Sequence, residues 1–322
     1  MIGTTLSVVS ISLLALGGAQ PGGAAAVALV QALASALLMN IAIVGINQLY
    51  DIEIDKVNKP YLPLASGALT PGQGFGIVVA SALGGTAIGL ASGSAPLLAT
   101  LLVSLALGVL YSADLPFMRW KRSPLLAAGC ILAVRAVIVQ LGFYTHMLQA
   151  VGAAASAPSA ASASASGSAS LAAAVAATTA SAAAASGWQG VLAALTPSVM
   201  FVIGFMLFFS IVIALFKDIP DVVGDRQAGV RTLSVRLGEG SVFRICVALL
   251  AAAYVWAMGA SLVLPDGALA KAVLFSGHAV LCGLLLNRAR GVDTREKSQL
   301  VDYYMFVWKL FYAEYLLIPL FG

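Results

Sequence analysis

Charge is what this chain of 322 residues has least of: Asp, Glu, Lys and Arg make up 9% of it, against 61% hydrophobic residues. With a mean hydropathy of +0.99, a soluble globule is excluded, because one core could not hide so much apolar surface. Cysteine is almost absent. The three present, Cys130, Cys246 and Cys282, lie in apolar runs without CxxC spacing. That excludes a disulfide framework or thiolate metal site and predicts small core residues. The two histidines, His146 and His278, stand without partners at metal-ligand spacing and are expected to be interfacial or structural. The chain has no GxxxxGKS/T, no GxGxxG opening a strand–helix unit, and no readable Ser–His–Asp or Cys–His arrangement. P-loop ATPase, dinucleotide-enzyme and hydrolase readings are therefore set aside.

What is abundant is long apolar sequence. Crossing about 30 Å of hydrocarbon takes roughly 20 residues of helix. Nine runs are read as spans: Ile2–Gly18, Ala24–Tyr50, Phe75–Ser92, Ala95–Ser112, Leu125–Leu148, Gly190–Phe216, Ile245–Leu264, Leu269–Leu286 and Tyr303–Phe321. The predicted fold class is an all-α polytopic membrane protein with nine transmembrane helices, in one membrane domain over 1–322. Charge supports the layout independently of hydropathy. Of 17 Lys and Arg, 14 follow even-numbered spans; Lys271 alone lies near the opposite face, and Arg135 and Lys309 fall inside spans. That asymmetry orients the charged face to the cytoplasm or, in a plastid, to the stroma. The net charge of +4 then describes a face meeting a lipid bilayer or an anionic substrate, with no nucleic acid partner. Residues 150–187, "AVGAAASAPSAASASASGSASLAAAVAATTASAAAASG", are nearly all small. Without bulky side chains to offset ordering entropy, they are expected to form a disordered or loosely helical, removable insert between the fifth and sixth spans.

Against this background the polar stretch "NQLYDIEIDKVNKPYLPLASG" stands out. Asn47, Asp51 and Asp55 are spaced i, i+4, i+8, so on a continuous helix they share one face at the end of the second span. Oxygen ligands of this kind suit a hard divalent cation, above all Mg²⁺; a solvated loop balanced by Lys56 and Lys59 is the plainer reading. A second stretch, "KDIPDVVGDRQAGVRTLSVRLG", places Asp218, Asp221 and Asp225 at i, i+3, i+7 where the sixth span ends, on the same side of the membrane. With Glu53, the two clusters hold six of the chain's 13 acids. Like charges facing one another in a bundle repel unless cations sit between them. The constellation therefore points to a cation-bridged anion site. Lys59, Lys121, Arg122, Lys217, Arg226 and Arg231 emerge on that face and could neutralise a diphosphate, although each is also an ordinary positive-inside anchor. Arg135, near the middle of the fifth span, is expected to face the bundle interior with a partner.

These motifs, with "YSADLPFMRWKRSPLLAAGCILAVRAVIVQLGFY" and "MFVWKLFYAEYLLIP", resemble the UbiA-type intramembrane aromatic prenyltransferases, and within them the homogentisate prenyltransferase branch of plastids, most of all its phytyl-transferring members. The resemblance implies a nine-helix bundle around a central cavity, with Mg²⁺-diphosphate held by Asn47, Asp51 and Asp55 and by Asp218, Asp221 and Asp225. Gln48 departs from the Asn-Asp opening of the wider family. Relatives carry a basic stretch before "IGTTLS", so the chain is expected to be cut short, with a diphosphate-contacting residue and any transit peptide missing.

The resemblance further implies phytyl diphosphate and homogentisate as substrates and 2-methyl-6-phytylbenzoquinol as product, after loss of the acetate carboxylate as CO₂. It implies a chloroplast membrane, with the site facing the stroma. Arg135 or Lys121 is assigned to the acetate and Tyr111 to the aromatic ring. Alternatives are a solanesyl or geranylgeranyl donor, a chlorophyllide acceptor or, from another class, a secondary transporter; transporters place such charges near the bilayer midplane rather than at one surface.

Overall fold

A computed structural model describes residues 1–18, 22–156, 194–219, 222 and 232–321. The described residues contain helices and turns and no strand. They include eight helices long and apolar enough to cross a membrane. Within Met1–Leu195, the first compact unit, these are α2 (Gly23–Tyr50), α4 (Pro71–Ala91), α5 (Ala95–Ser112) and the run α6–α7 (Pro124–Leu132, then Val139–Ser156). The second unit, Thr196–Gly322, supplies α8 (Pro197–Lys217), α10 (Glu239–Val263), α11 (Ala268–Ala289) and α12 (Lys297–Leu317), the last continued by a 3₁₀ turn at Ile318–Phe321. Two short helices, α3 (Ile52–Asn58) and α9 (Leu233–Leu237), follow α2 and precede α10. The expected first span is α1 (Ile2–Ala15), an apolar helix of 14 residues. At 1.5 Å per residue it is about 21 Å long, short of the hydrocarbon thickness. Among the described residues each of the nine apolar segments contains a helix, and eight of those helices have spanning length.

Helix starts follow local chemistry. Thr70 accepts from the Gln73 N–H while Gln73 returns a bond to the Thr70 N–H, a capping box with Pro71 in the first turn. Ser94 with Pro96 and Thr196 with Pro197 repeat the cap-plus-proline signal at α5 and α8. In the sixth span, α8 accordingly starts at Pro197, because a proline is tolerated at a helix start and Thr196 caps it; residues 190–193 of the expected span lie outside the described residues.

The two units pack by different means. In the first, small residues form the seam: Ala28, Ala32, Ser35 and Ala36 on α2 are buried, as are Ser81, Gly85 and Gly89 on α4. A Cβ on Gly85 would lie 3.2 Å from the Ser35 carbonyl oxygen, so the backbones approach as closely as small residues permit. In the second unit aromatic rings do this work. Phe201, Phe205, Phe209 and Phe216 line α8 and meet Trp256, Tyr254, Phe311 and Tyr303 at centroid distances of 4.9 to 6.3 Å.

All three cysteines are buried, as expected of core residues. Both histidines are buried as well, so neither is interfacial: each has a polar partner that lets it sit inside. His146 bonds the Ala28 carbonyl at 3.1 Å, and His278 lies 3.2 Å from the Ser261 hydroxyl and 3.3 Å from Glu314. Of the Ala/Ser-rich segment, residues 150–156 complete α7; the remainder of 150–187 lies outside the described residues.

Candidate active site

The site grows from the end of α2. The spacing of Asn47, Asp51 and Asp55 predicts one continuous helical face, and here the structure differs. Asp51 has φ −117° and ψ 11°, which ends α2 and begins α3. Its N–H bonds Gln48 O at 3.2 Å, and its carbonyl accepts the Asp55 N–H at 2.7 Å. Aspartate competes poorly in helix interiors because its side chain finds other partners. The carboxylate does not cap α3. It turns instead to the loop between α5 and α6.

That loop carries "SADLPFMRWKR", residues 112–122. Lys121 Nζ lies 2.5 Å from Asp51 Oδ2, and the Arg119 guanidinium 3.5 Å from Asp51 Oδ1. All three side chains are only 12 to 15% exposed, so solvent screens these pairs incompletely. Arg119 also pairs closely with Asp114, and Arg122, which is exposed, reaches Asp114 at 3.5 Å. Arg119 and Phe117 hold left-handed backbone conformations, φ 58° and 64°, the two such non-glycine residues described. That conformation is disfavoured by a Cβ clash and persists where surroundings impose it.

The other predicted residues of the first unit fall around this cluster. Asn47, half-buried on α2, donates to Ser112 Oγ at 3.2 Å, tying α2 to the end of α5. Tyr111, one residue earlier, is half-buried and within electrostatic range of Asp51. Asp55 is buried on α3, and Lys59 is exposed just beyond it. Arg135 is half-buried inside a π-helical turn, Ala133–Ile138, that interrupts the α6–α7 run. Single π turns recur at functional sites because they redirect a side chain within a helix. Gln48 instead lines a cavity of about 320 Å³ with Asn40, Val44, Leu64 and Val78.

In the second unit Asp218 is half-buried at the end of α8, and Lys217 is exposed beside it. Asp221, Asp225, Arg226 and Arg231 lie outside the described residues. Among the described residues no three His, Cys, Asp or Glu side chains gather at metal-binding distance. The donor chemistry nevertheless suits a hard cation: Asp51 Oδ1 is buried and accepts no hydrogen bond, and the neighbouring Asn47 and Asp55 are oxygen donors.

Sequence reasoning missed Asp114 and Arg119 as site residues. The available signal was an acid just past the end of a span, followed by three bases within eight residues. It also missed the pairing of Glu314 with His278, whose members stand 36 positions apart.

A profile of the UbiA prenyltransferase family matches residues 8–310. A rice protein described as "Probable homogentisate phytyltransferase 1, chloroplastic" is 47% identical over 99% of the chain, which spans 70% of that relative. A wheat homogentisate geranylgeranyltransferase is 43% identical over 99% of the chain and 69% of its own length. Among solved structures, the apo structure of a UbiA homolog from Aeropyrum pernix K1 matches with a TM-score of 0.62 at 17% identity, over 98% of the chain and 94% of that protein. This last likeness concerns the fold.

Proposed function

The chain belongs to the UbiA prenyltransferase family, and from that premise we propose that it transfers the phytyl group of phytyl diphosphate to homogentisate. The new bond joins the allylic carbon to a ring carbon of the acceptor. The allylic C–O bond breaks with release of diphosphate, the attacked ring carbon gives up its proton, and the acetate carboxylate leaves as CO₂ while the carbon it leaves takes up a proton to become the methyl group, giving 2-methyl-6-phytylbenzoquinol. The observation that carries this reading is the 47% identity, along almost the whole chain, to a relative named for that reaction. The similarity to the wheat geranylgeranyltransferase supports a geranylgeranyl donor as the second reading. Family membership sets the transporter aside.

Asn47, Asp51, Asp55, Asp218, Asp221 and Asp225 are proposed to hold Mg²⁺, which when bound would draw negative charge from the departing diphosphate. Lys59, Lys121, Arg122, Lys217, Arg226 and Arg231 are proposed to bind the diphosphate oxygens, fixing the leaving group and favouring its developing charge. Apolar helix faces keep water from the allylic cation. Arg135, half-buried on the π turn, is proposed to orient the acetate of homogentisate, with Tyr111 beside the ring. We place the protein in a chloroplast membrane, with this face towards the stroma. That agrees with the rice relative's description and with the bias of Lys and Arg.

The test is to supply membranes containing the chain with labelled homogentisate, Mg²⁺ and, in parallel, phytyl, geranylgeranyl and solanesyl diphosphates, and to identify products by mass. A decarboxylated phytyl quinol is the expected product. A single product carrying another tail would replace the donor, and no product from any donor would overturn the reading.

A further inference from the structure

Asp51 is assigned to a metal, yet in this structure two cations already sit on it. We infer that Arg119, with Lys121, is an exchange base: without ligands it occupies Asp51, and it passes to the diphosphate as metal and substrate bind. The inference rests on the proposed function and adds a residue and an order of events to it. The first aspartate cluster would hold metal weakly by itself and more tightly as diphosphate arrives.

Four features of the loop carry this. The Arg119 guanidinium stands 3.5 Å from Asp51 Oδ1, which accepts no hydrogen bond, so that side of the pair is loose. Arg119 has a second acceptor in Asp114 and can leave one carboxylate without losing both. Its own φ of 58° and the 64° of Phe117 place two disfavoured conformations in one short loop. Such a loop has a readily accessible alternative once its ion pairs are released. Finally, Arg119, Lys121 and Arg122 set three positive charges against Asp51 and Asp114, and with Asp55 one turn from Asp51 the local charge is even. With its carboxylates already matched, the cluster offers a lone divalent cation little net attraction until an anion draws the bases away.

The experiment uses the full chain in detergent or nanodiscs, with Mn²⁺ as the paramagnetic stand-in for Mg²⁺ and inorganic pyrophosphate as the anion. Free Mn²⁺ is read by electron paramagnetic resonance and pyrophosphate binding by calorimetry. Arg119→Gln should bind Mn²⁺ alone about threefold tighter or more, and in the presence of Mn²⁺ should bind pyrophosphate about tenfold more weakly. Arg119→Lys should recover part of both changes. Asp114→Asn, which deprives Arg119 of its other acceptor, should weaken Mn²⁺ binding in the absence of anion. Lys56→Gln is the control, because Lys56 pairs with exposed Glu53 and not with Asp51. A purely structural Arg119 would lower both affinities in Arg119→Gln. That result, or an unchanged Mn²⁺ affinity there or in Asp114→Asn, overturns the inference. Neither readout requires turnover, so failure of the wild-type chain to make a prenylated quinol would count against the proposed reaction and leave the binding contrast to decide the exchange.

Discussion

Asp51 ends one helix, starts another and gives its carboxylate to neither. A helix-capping aspartate contributes about 1 kcal/mol to its own helix; here that contribution is forgone in favour of Lys121 and Arg119, and the proposed function gives the carboxylate a metal-binding role. Asp51→Ala and Asp221→Ala are therefore each expected to lower turnover by about 10³-fold or more while leaving the protein inserted. Product mass and membrane fractionation check the two halves of that statement, and normal turnover in either variant would remove the metal role. At this scale the sequence showed residue types better than contacts. The acids were legible because acids are rare in so apolar a chain. The break at Asp51 was not, since i, i+4, i+8 spacing is equally consistent with an unbroken helix. Asp114 and Arg119 escaped because a left-handed residue reverses the chain locally, and no residue in that loop is a glycine that would announce it.

The helices pair through two chemistries, and each makes its own prediction. Along α2 and α4 the seam depends on missing side chains. Gly85→Leu pushes atoms against the backbone of Ser35, which cannot give way. It is expected to destabilise the protein by about 1–3 kcal/mol, whereas Gly76→Ala, where an added Cβ meets nothing within 4 Å, should not. Thermal unfolding in one detergent compares them; equal Tm values would mean the two helices separate without loss. On α11 and α12 the connection is polar. His278 and Glu314, 1% and 2% exposed side chains, face each other at 3.3 Å, with Tyr254 in electrostatic range of the carboxylate. Removing one partner strands the other's polar atoms inside the bundle, so Glu314→Ala should cost about 1–3 kcal/mol. Glu314→Gln, which keeps the shape and some hydrogen bonding, should cost less. The positions of these helices could be read from apolar runs of about 20 residues. Their pairing could not, because lipid-facing and helix-facing residues are equally apolar and hydropathy does not separate them.

For the whole molecule, the count of apolar segments and the bias of Lys and Arg both follow from the bilayer, and both were legible because lipid imposes one length and one charge rule on every span. The Ala/Ser-rich residues 157–187 are proposed to be free of both rules. Replacing them with a short Gly/Ser linker is expected to leave specific activity and Tm close to those of the full chain; a large loss of either would assign that segment a role. The buried Gln140 amide on α7 donates to Ser7 on α1 across 133 positions of sequence, and Asn40 on α2 donates to Thr4 across 36. At translation rates of about 5–20 residues per second, α1 waits about 7–27 s for its more distant partner to be made. During that interval the nascent helix needs a temporary host, in the insertion machinery or in lipid, before its hydroxyls are sealed inside.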